Sequence, residues 1–262
     1  MSLRPWLIAS ALIVPLAGWV SRPAPMSARY KIGITTQQTI DLSALGQGER
    51  NQTTQTVGFV SVTTSDSAGG TVIVMQVDSV RLDSALHAPA AVLDSLKGAT
   101  TRSFYGADGK VTRLGHSNAS TALLSLGLDG LGRRFVPPTA THRKAGATWT
   151  DTVDVADTVS GGMVSTRTVA NYATSDDAVD GAKATKIAAS FSSAVQGSQS
   201  GDGGEGSFEG TGTGTSTWVY GSDAAAISGT IKSVQNLTFT SPNAPAPIPI
   251  TVQNDVAVTR LK

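Results

Sequence analysis

The stretch from Phe208 to Asp223, FEGTGTGTSTWVYGSD, alternates between two kinds of side chain. Successive side chains of an extended strand point to opposite faces, so one face carries glycines between aromatic residues and the other carries threonines. The glycine face holds Phe208, Gly210, Gly212, Gly214, Ser216, Trp218 and Tyr220. Because its aromatic side chains favour burial, the pattern predicts an inward face whose glycines let a bulky group lie close to the backbone.

Most of the chain after residue 29 shows the same two-residue period or a β-branched composition. Strands are predicted at 30–42, 52–64, 71–82, 101–105, 110–114, 148–157, 163–174, 182–195, 225–240 and 250–261. Turn signals separate several of them, including SDSAGG at 65–70 and GADG at 106–109. The pattern predicts a mainly β fold with a large curved antiparallel sheet, either a half-barrel or a clam-like shape.

Two segments have the period of helices instead. A short amphipathic helix is predicted at 90–97, between Pro89 and Gly98. A longer, Leu-rich helix is predicted over 121–135, with one face made by Leu124, Leu128, Leu131 and Phe135. Such a stripe favours core packing over a binding box, so both helices are expected to pack on the sheet.

The N-terminal segment is typical of an export signal. A short basic start precedes an apolar run at 6–20, which is shorter than the ~20 residues that span a bilayer comfortably. Residues 1–28 are therefore predicted to be a signal peptide or an uncleaved N-terminal anchor, with cleavage after Ala28 or near Ala24. Export places the protein in the periplasm or outside the cell.

The mature chain contains matches that suggest a duplication. Tyr105-Gly106-Ala107-Asp108 is echoed by Tyr220-Gly221-Ser222-Asp223, and TQTV at 54–57 by TRTV at 166–169. We predict one β-rich domain at 29–262, made of two similar halves at about 30–114 and 146–240, with a helical bridge at 118–136. In each half, the aspartate (Asp108, Asp223) is expected to hold a tight turn through its side chain.

Composition and charge exclude several classes of function. The net charge is +1 and no dense cluster of basic residues occurs, so a nucleic-acid interface is not expected. Cysteine is absent, which excludes disulfides, thiol catalysis and cysteine-ligated metals. Outside the N-terminal segment, no apolar run is long enough to predict contact with a membrane.

No arrangement of residues predicts catalysis or a cofactor. The histidines His87, His116 and His142 lie far apart in polar contexts, without a metal-ligand spacing. The run from Asp202 to Glu209 is the best candidate for a calcium loop, but a simple surface loop is favoured because the order of its oxygen ligands matches no calcium motif. The chain is thus predicted to be non-enzymatic, with no cofactor and no metal site.

The export signal, long antiparallel strands, Leu-rich helix and the turn at Phe104 to Gly109 resemble an uncharacterised class of secreted bacterial β-rich proteins. More distantly, they resemble the fold of periplasmic lipoprotein carriers and mycobacterial lipoproteins. That resemblance implies an open half-barrel with helices covering its mouth, and no functional residue carries over. Trp19 stands where a lipoprotein would have its acylated cysteine, so no acyl anchor can form there.

Two functions follow as hypotheses. In the first, a cleft between sheet and helix binds a lipid or other hydrophobic ligand, and its lining is Leu124, Leu128, Leu131, Trp149, Gly210, Gly212, Gly214, Trp218 and Tyr220. In the second, the protein is a structural or interaction protein of the envelope, with a helix-filled core and no ligand. A cavity of ~300 Å³ or more would separate them.

Overall fold

The computed structural model describes residues 26–67, 70–83, 96–106, 111–116, 131, 134–136, 142–159, 162–199 and 205–262. Eleven strands form one antiparallel sheet. They are β1 Ser27–Asp41, β2 Glu49–Ser67, β3 Gly70–Asp83, β4 Thr100–Gly106, β5 Val111–His116, β6 Thr148–Val159, β7 Gly162–Val179, β8 Ala182–Gln199, β9 Gly206–Tyr220, β10 Ala226–Thr240 and β11 Ile248–Arg260. The prediction of a mainly β fold with one large curved antiparallel sheet is confirmed.

The strand order departs from a simple meander at one place. Across the sheet it reads β5-β4-β3-β2-β1-β11-β10-β9-β8-β7-β6. The last strand therefore lies between β1 and β10, and it pairs with β1 from Tyr30 opposite Arg260 to Ile40 opposite Ile250. Residues from the two ends of the described chain thus meet in the middle of the sheet.

The sheet curves around the face that carries the apolar side chains. The ring of Phe135 lies 4.3 Å from that of Tyr30 on β1 and 6.0 Å from that of Trp218 on β9. These strands are three inter-strand spacings apart, which would be ~14 Å in a flat sheet. One phenylalanine can contact both rings because this face is concave.

Two apolar clusters occupy opposite ends of the concave face. The large core contains Tyr30, Ile32, Met75, Trp218 and Val258, together with Leu131 and Phe135 from the segment after β5. The small core contains Val195, Leu237, Ile250 and Val252, with Phe208 and Phe239 packed against it.

The convex face of the central strands is polar. Exposed side chains there include Lys31, Thr215, Lys232 and Asp255. This division, apolar on one face and polar on the other, is the usual one for an antiparallel sheet with one solvated face.

The two predicted helices are not supported. Strands and one 3₁₀ turn, Ser43–Leu45, are the elements whose bounds lie within the described residues, and Leu96 is the one described residue in α-helical conformation. The short helix at 90–97 and the Leu-rich helix at 121–135 fall mostly outside the described part of the chain. Leu131 and Phe135 are nonetheless buried in the large core, so the end of the apolar stripe does pack on the sheet.

Three other predictions remain predictions. Of the predicted export segment at 1–28, residues 1–25 lie outside the described residues, and nothing in the structure tests the duplication or the division into domains. The start of β1 bears on the cleavage site, since Ala28 pairs with Val62 of β2. Cleavage after Ala28 would remove the first two residues of β1, whereas cleavage near Ala24 would leave the strand whole. No helix long and apolar enough to cross a bilayer occurs in the described part of the chain.

Candidate functional site

The glycine face of β9 points inward, as its sequence predicts. Gly212, Ser216, Trp218 and Tyr220 are buried, and Thr211, Thr213 and Thr215 on the other face are exposed. The two-residue period of this strand therefore matches its burial, with Trp218 and Tyr220 on the inward face.

Aromatic rings from neighbouring strands lie over several glycines of the concave face. The Phe191 ring covers Gly214, where an added Cβ would lie 2.4 Å from Cζ of Phe191. The same relation joins Phe208 to Gly197, Trp218 to Gly229 and Phe239 to Gly206. Three of these four pairs are directly opposite in the strand register: Gly214 and Phe191, Gly197 and Phe208, and Gly229 and Trp218.

The groups that lie close to the glycines of β9 belong to the neighbouring strands. The atoms nearest to Gly210, Gly212 and Gly214 belong to β8 and β10 on either side of them. Leu124 and Leu128 lie outside the described residues. The glycines are needed because adjacent strands of a strongly curved sheet crowd the concave side.

The aromatic residues of the predicted cleft are occupied in packing. The hydroxyl of Tyr220 donates a hydrogen bond to the carbonyl oxygen of Arg134, at 3.0 Å. The guanidinium of Arg134, itself buried, lies 5.9 Å from the Trp218 ring, and Nη1 donates to Oγ of Ser216 at 3.5 Å. Nearby, burial raises the pKa of the Tyr30 phenol far above its ordinary value, although the charge of Arg260 opposes the shift. This end of the concave face is therefore filled by the protein itself.

Trp149 lies on β6, at the edge of the sheet, and is partly buried against the large core. Its indole is stacked between the imidazole of His142, at 4.2 Å, and the ring of Tyr172, at 4.7 Å. Partial burial in this stack lowers the pKa of His142. Both faces of Trp149 are thus already covered by other rings.

A band of polar side chains crosses the concave face between the two cores. We call it the polar belt, and it consists of Thr36, Gln38, Ser193, Ser233, Gln235 and Asn254. Register places these residues in two adjacent rows, Gln38 level with Gln235 and Ser193, and Thr36 level with Asn254 and Ser233. The next inward residues of β1 are apolar on both sides, Ile34 toward the large core and Ile40 toward the small one.

Several polar atoms of the belt are buried without a partner. Gln38 is 6% exposed, Ser233 8% and Asn254 3%. Nε2 of Gln38, Oγ of Ser233 and Nδ2 of Asn254 have no hydrogen-bond partner among the described residues. The Asn254 side chain does accept one bond at its other end, from Oγ1 of Thr36 to Oδ1 at 2.7 Å.

Sequence reasoning missed the polar belt, although a signal for it is present. In β1 the inward positions read Ile32, Ile34, Thr36, Gln38 and Ile40, so polar residues interrupt an otherwise apolar series without a change of phase. Because the two-residue period continues through these polar positions, Thr36 and Gln38 are expected to remain on the buried face.

The turn after β9 has the predicted chemistry. The N–H of Ala225 donates to Oδ1 of Asp223 at 3.1 Å, which is the side-chain bond to the backbone two residues on that holds a tight turn. The sequence did not predict its second partner, Nη1 of Arg260, which donates to Oδ2 at 2.5 Å. Asp108 lies outside the described residues.

Metal chemistry finds no support in the part of the chain that the structure describes, where no group of three or more His, Asp or Glu side chains converges. Of the calcium candidate, Asp202 lies outside the described residues, and Glu209 is on the exposed face of β9. His87 and the side chain of His116 are likewise not described.

Comparison with known proteins gives likeness of structure alone, since no family model and no curated protein matches the chain. Neisserial surface protein A is 6% identical, with 90% of this chain and 99% of that one covered, at a TM-score of 0.24. Pseudomonas aeruginosa OccK9 (OpdG) is 6% identical over 90% and 98%, at 0.28. A BenF-like porin from Pseudomonas fluorescens is 6% identical over 90% and 99%, at 0.27.

None of these three neighbours is a lipoprotein carrier or a mycobacterial lipoprotein. The resemblance to that half-barrel fold is therefore wrong. With TM-scores below 0.3, the likenesses carry no argument about the function of this chain.

The two functions expected from the sequence are wrong as well. A cleft for a lipid, and a lipid as partner, would need a continuous apolar lining, whereas the polar belt divides the concave face and the aromatic residues pack on one another. The alternative needed a helix-filled core, and the predicted helices are not supported.

Proposed function

We propose that this protein is a non-catalytic, exported binding protein that takes a neutral, polar ligand on the polar belt of its concave face. One observation carries the proposal: Gln38, Ser233 and Asn254 are each more than nine-tenths buried, and each has a polar atom that finds no partner among the residues the structure describes. The ligand would supply the missing hydrogen bonds.

Buried polar groups of this kind lower the stability of a folded protein. A buried donor or acceptor without a partner costs ~1–3 kcal/mol, and natural proteins contain few of them. Three such groups in one band lower the free energy of unfolding, and apolar residues of similar size would avoid this loss. Their retention is accounted for if the belt opens to a partner that satisfies them.

Charged side chains on the convex face favour contact of that face with water. Lys232 and Asp255 on the convex face have side chains 77% and 62% exposed. Transmembrane barrels have the reverse arrangement, with an apolar outer band. A polar exterior and a polar interior belt suit a carrier or receptor of water-soluble ligands.

The change Gln38→Leu tests the proposal because it removes an unpartnered amide from the belt. Without ligand, we expect it to raise the free energy of unfolding by about 1 kcal/mol, since an unsatisfied buried group is lost. With ligand, the variant should gain less in melting temperature than the wild-type protein. The measurement is thermal unfolding across a panel of neutral oligosaccharides, blocked tripeptides and nucleosides.

Gln37→Leu is the matched control, because Gln37 is the next residue of β1 and lies exposed on the convex face. It should leave the response to every member of the panel unchanged. The proposal is wrong if no member stabilises the wild-type protein, or if Gln37→Leu and Gln38→Leu reduce the response equally.

A further inference from the structure

The belt also carries information about the class of its ligand. We infer that the ligand is a neutral oligosaccharide that lies across the strands along the polar belt. This inference rests on the proposed function, and it adds the chemical class of the ligand and its direction on the sheet.

The hydrogen-bonding chemistry of the belt matches hydroxyl groups. Its members are the amides Gln38, Gln235 and Asn254 and the hydroxyls Thr36, Ser193 and Ser233, and each of these groups can both donate and accept. A sugar hydroxyl likewise donates one bond and accepts others. None of the six carries a charge, so the belt offers no counter-ion to an anionic or cationic ligand.

The direction of the belt suits a chain of repeating units. Gln38, Gln235 and Ser193 share one level on β1, β10 and β8, linked through Val252 and Gly212. Neighbouring strands are ~4.8 Å apart, a spacing comparable to the length of one pyranose unit. In this row the polar residues stand on every second strand, so they recur at ~9.6 Å, about the length of two sugar units of an extended oligosaccharide.

Apolar groups beside the belt would face the C–H surfaces of the sugar rings. Phe191 occupies the second row, level with Ser233 and Gly214. Gly212 lies at the middle of the first row, where Cγ of Gln235 and Oγ of Ser193 fill the space that a side chain at this position would take. Aromatic and amide groups side by side provide both kinds of contact that a sugar ring makes.

The experiment is isothermal titration of the full chain with neutral pentasaccharides: cello-, malto-, xylo- and mannopentaose. Pentagalacturonic acid is the charged counterpart, and a blocked tetraserine peptide is the non-sugar counterpart with similar hydroxyl content. We expect at least one neutral pentasaccharide to bind. Gln38→Leu and Ser193→Ala should each raise its Kd at least tenfold, and the convex-face controls Gln37→Leu and Ser192→Ala should not.

The outcomes separate the two proposals. If the blocked peptide binds through Gln38 and no pentasaccharide does, the inference about sugars is wrong and the proposed function stands. If the charged pentasaccharide binds more tightly than its neutral counterparts, the inference is also wrong. If neither sugar nor peptide binds, the inference is overturned, and the proposed function then depends on the wider panel. Circular dichroism of each variant checks that the sheet is intact.

Discussion

A glycine in a strand is usually a weak point, yet several glycines of this sheet are required by what lies above them. At Gly214 an added Cβ would lie 2.4 Å from the Phe191 ring and 2.5 Å from the carbonyl oxygen of Lys232. At Gly33 on β1 the same atom would meet nothing within 4 Å. The two glycines differ because Gly33, between the buried Ile32 and Ile34, lies on the convex face, whereas Gly214 lies on the concave face.

Gly214→Ala should destabilise the protein by roughly 1–3 kcal/mol, because the methyl group forces the Phe191 ring or the backbone of β10 to move. Gly33→Ala is the control and should stabilise by about 0.5–1 kcal/mol, through the smaller entropy of the unfolded chain. Urea unfolding of both variants measures the difference. Equal effects at the two positions would show that the ring does not lie over Gly214.

The carboxylate of Asp223 should make stability depend on pH. Partial burial acts to raise its pKa, but the hydrogen bonds from Arg260 and the Ala225 N–H outweigh burial and hold the pKa below its ordinary value. The folded protein therefore binds this proton less readily than the unfolded chain. The resulting stability is full above about pH 4, near the ordinary pKa of an aspartate, and is lost as pH falls through the lowered folded-state value.

The change Asp223→Asn should lower the free energy of unfolding at pH 7 by less than about 1 kcal/mol, because the pair with Arg260 is half exposed. The asparagine keeps an acceptor for the Ala225 N–H, so the turn survives. Arg260→Gln should cause a similar loss, and the double variant no more than either alone. A difference between wild type and Asp223→Asn that persists unchanged at pH 2.5 would contradict this account.

At the level of the strand, the sequence predicts most of this fold. The two-residue period of Thr211 to Tyr220 fixes both the extended conformation of β9 and its inward face. The residue types of the polar belt do not predict burial, because glutamine and asparagine, such as Gln38 and Asn254, are usually exposed to solvent. Only their phase relative to the apolar neighbours, and the register of β1 against β11, places them together on the buried face.

For the segment predicted as a Leu-rich helix, local spacing does not reveal which residues it packs against. A stripe through Leu124, Leu128, Leu131 and Phe135 predicts an element from local spacing, but what a buried segment contacts depends on distant strands. Phe135 is held by Tyr30 and Trp218, residues 105 and 83 positions away along the chain, since 135 − 30 = 105 and 218 − 135 = 83. No pattern within the segment contains that information.

The opposite faces of β9 should respond differently to the same substitution. Gly212→Leu should destabilise by roughly 1–3 kcal/mol, because a Cβ there already lies 2.7 Å from Oγ of Ser193 and 2.9 Å from Cγ of Gln235. Thr213→Leu places the same side chain on the exposed face and should change stability by less than about 0.5 kcal/mol. Thermal unfolding distinguishes them, and equal tolerance would mean that the concave face is open at Gly212.

On the scale of the molecule, the large core joins strands from both sides of β11, including β1, β3, β8 and β9. The sheet should therefore unfold as one unit. Deletion of residues 248–262 removes β11, the neighbour of both β1 and β10, and is expected to abolish cooperative unfolding. Calorimetry checks this, and two separate transitions in the truncated chain would show that the two sides fold alone.

The position of β11 also sets an order of events in time. A chain that emerges with its N-terminus first, from a ribosome or through an export channel, exposes β1 long before residues 248–260 appear. Until then the edges of β1 and β10 stay unpaired, and exposed strand edges are templates for aggregation. Pairings so distant in sequence also form slowly. The edges of β1 and β10 are therefore the parts of the unfinished sheet that are open to edge-to-edge pairing until β11 is in place.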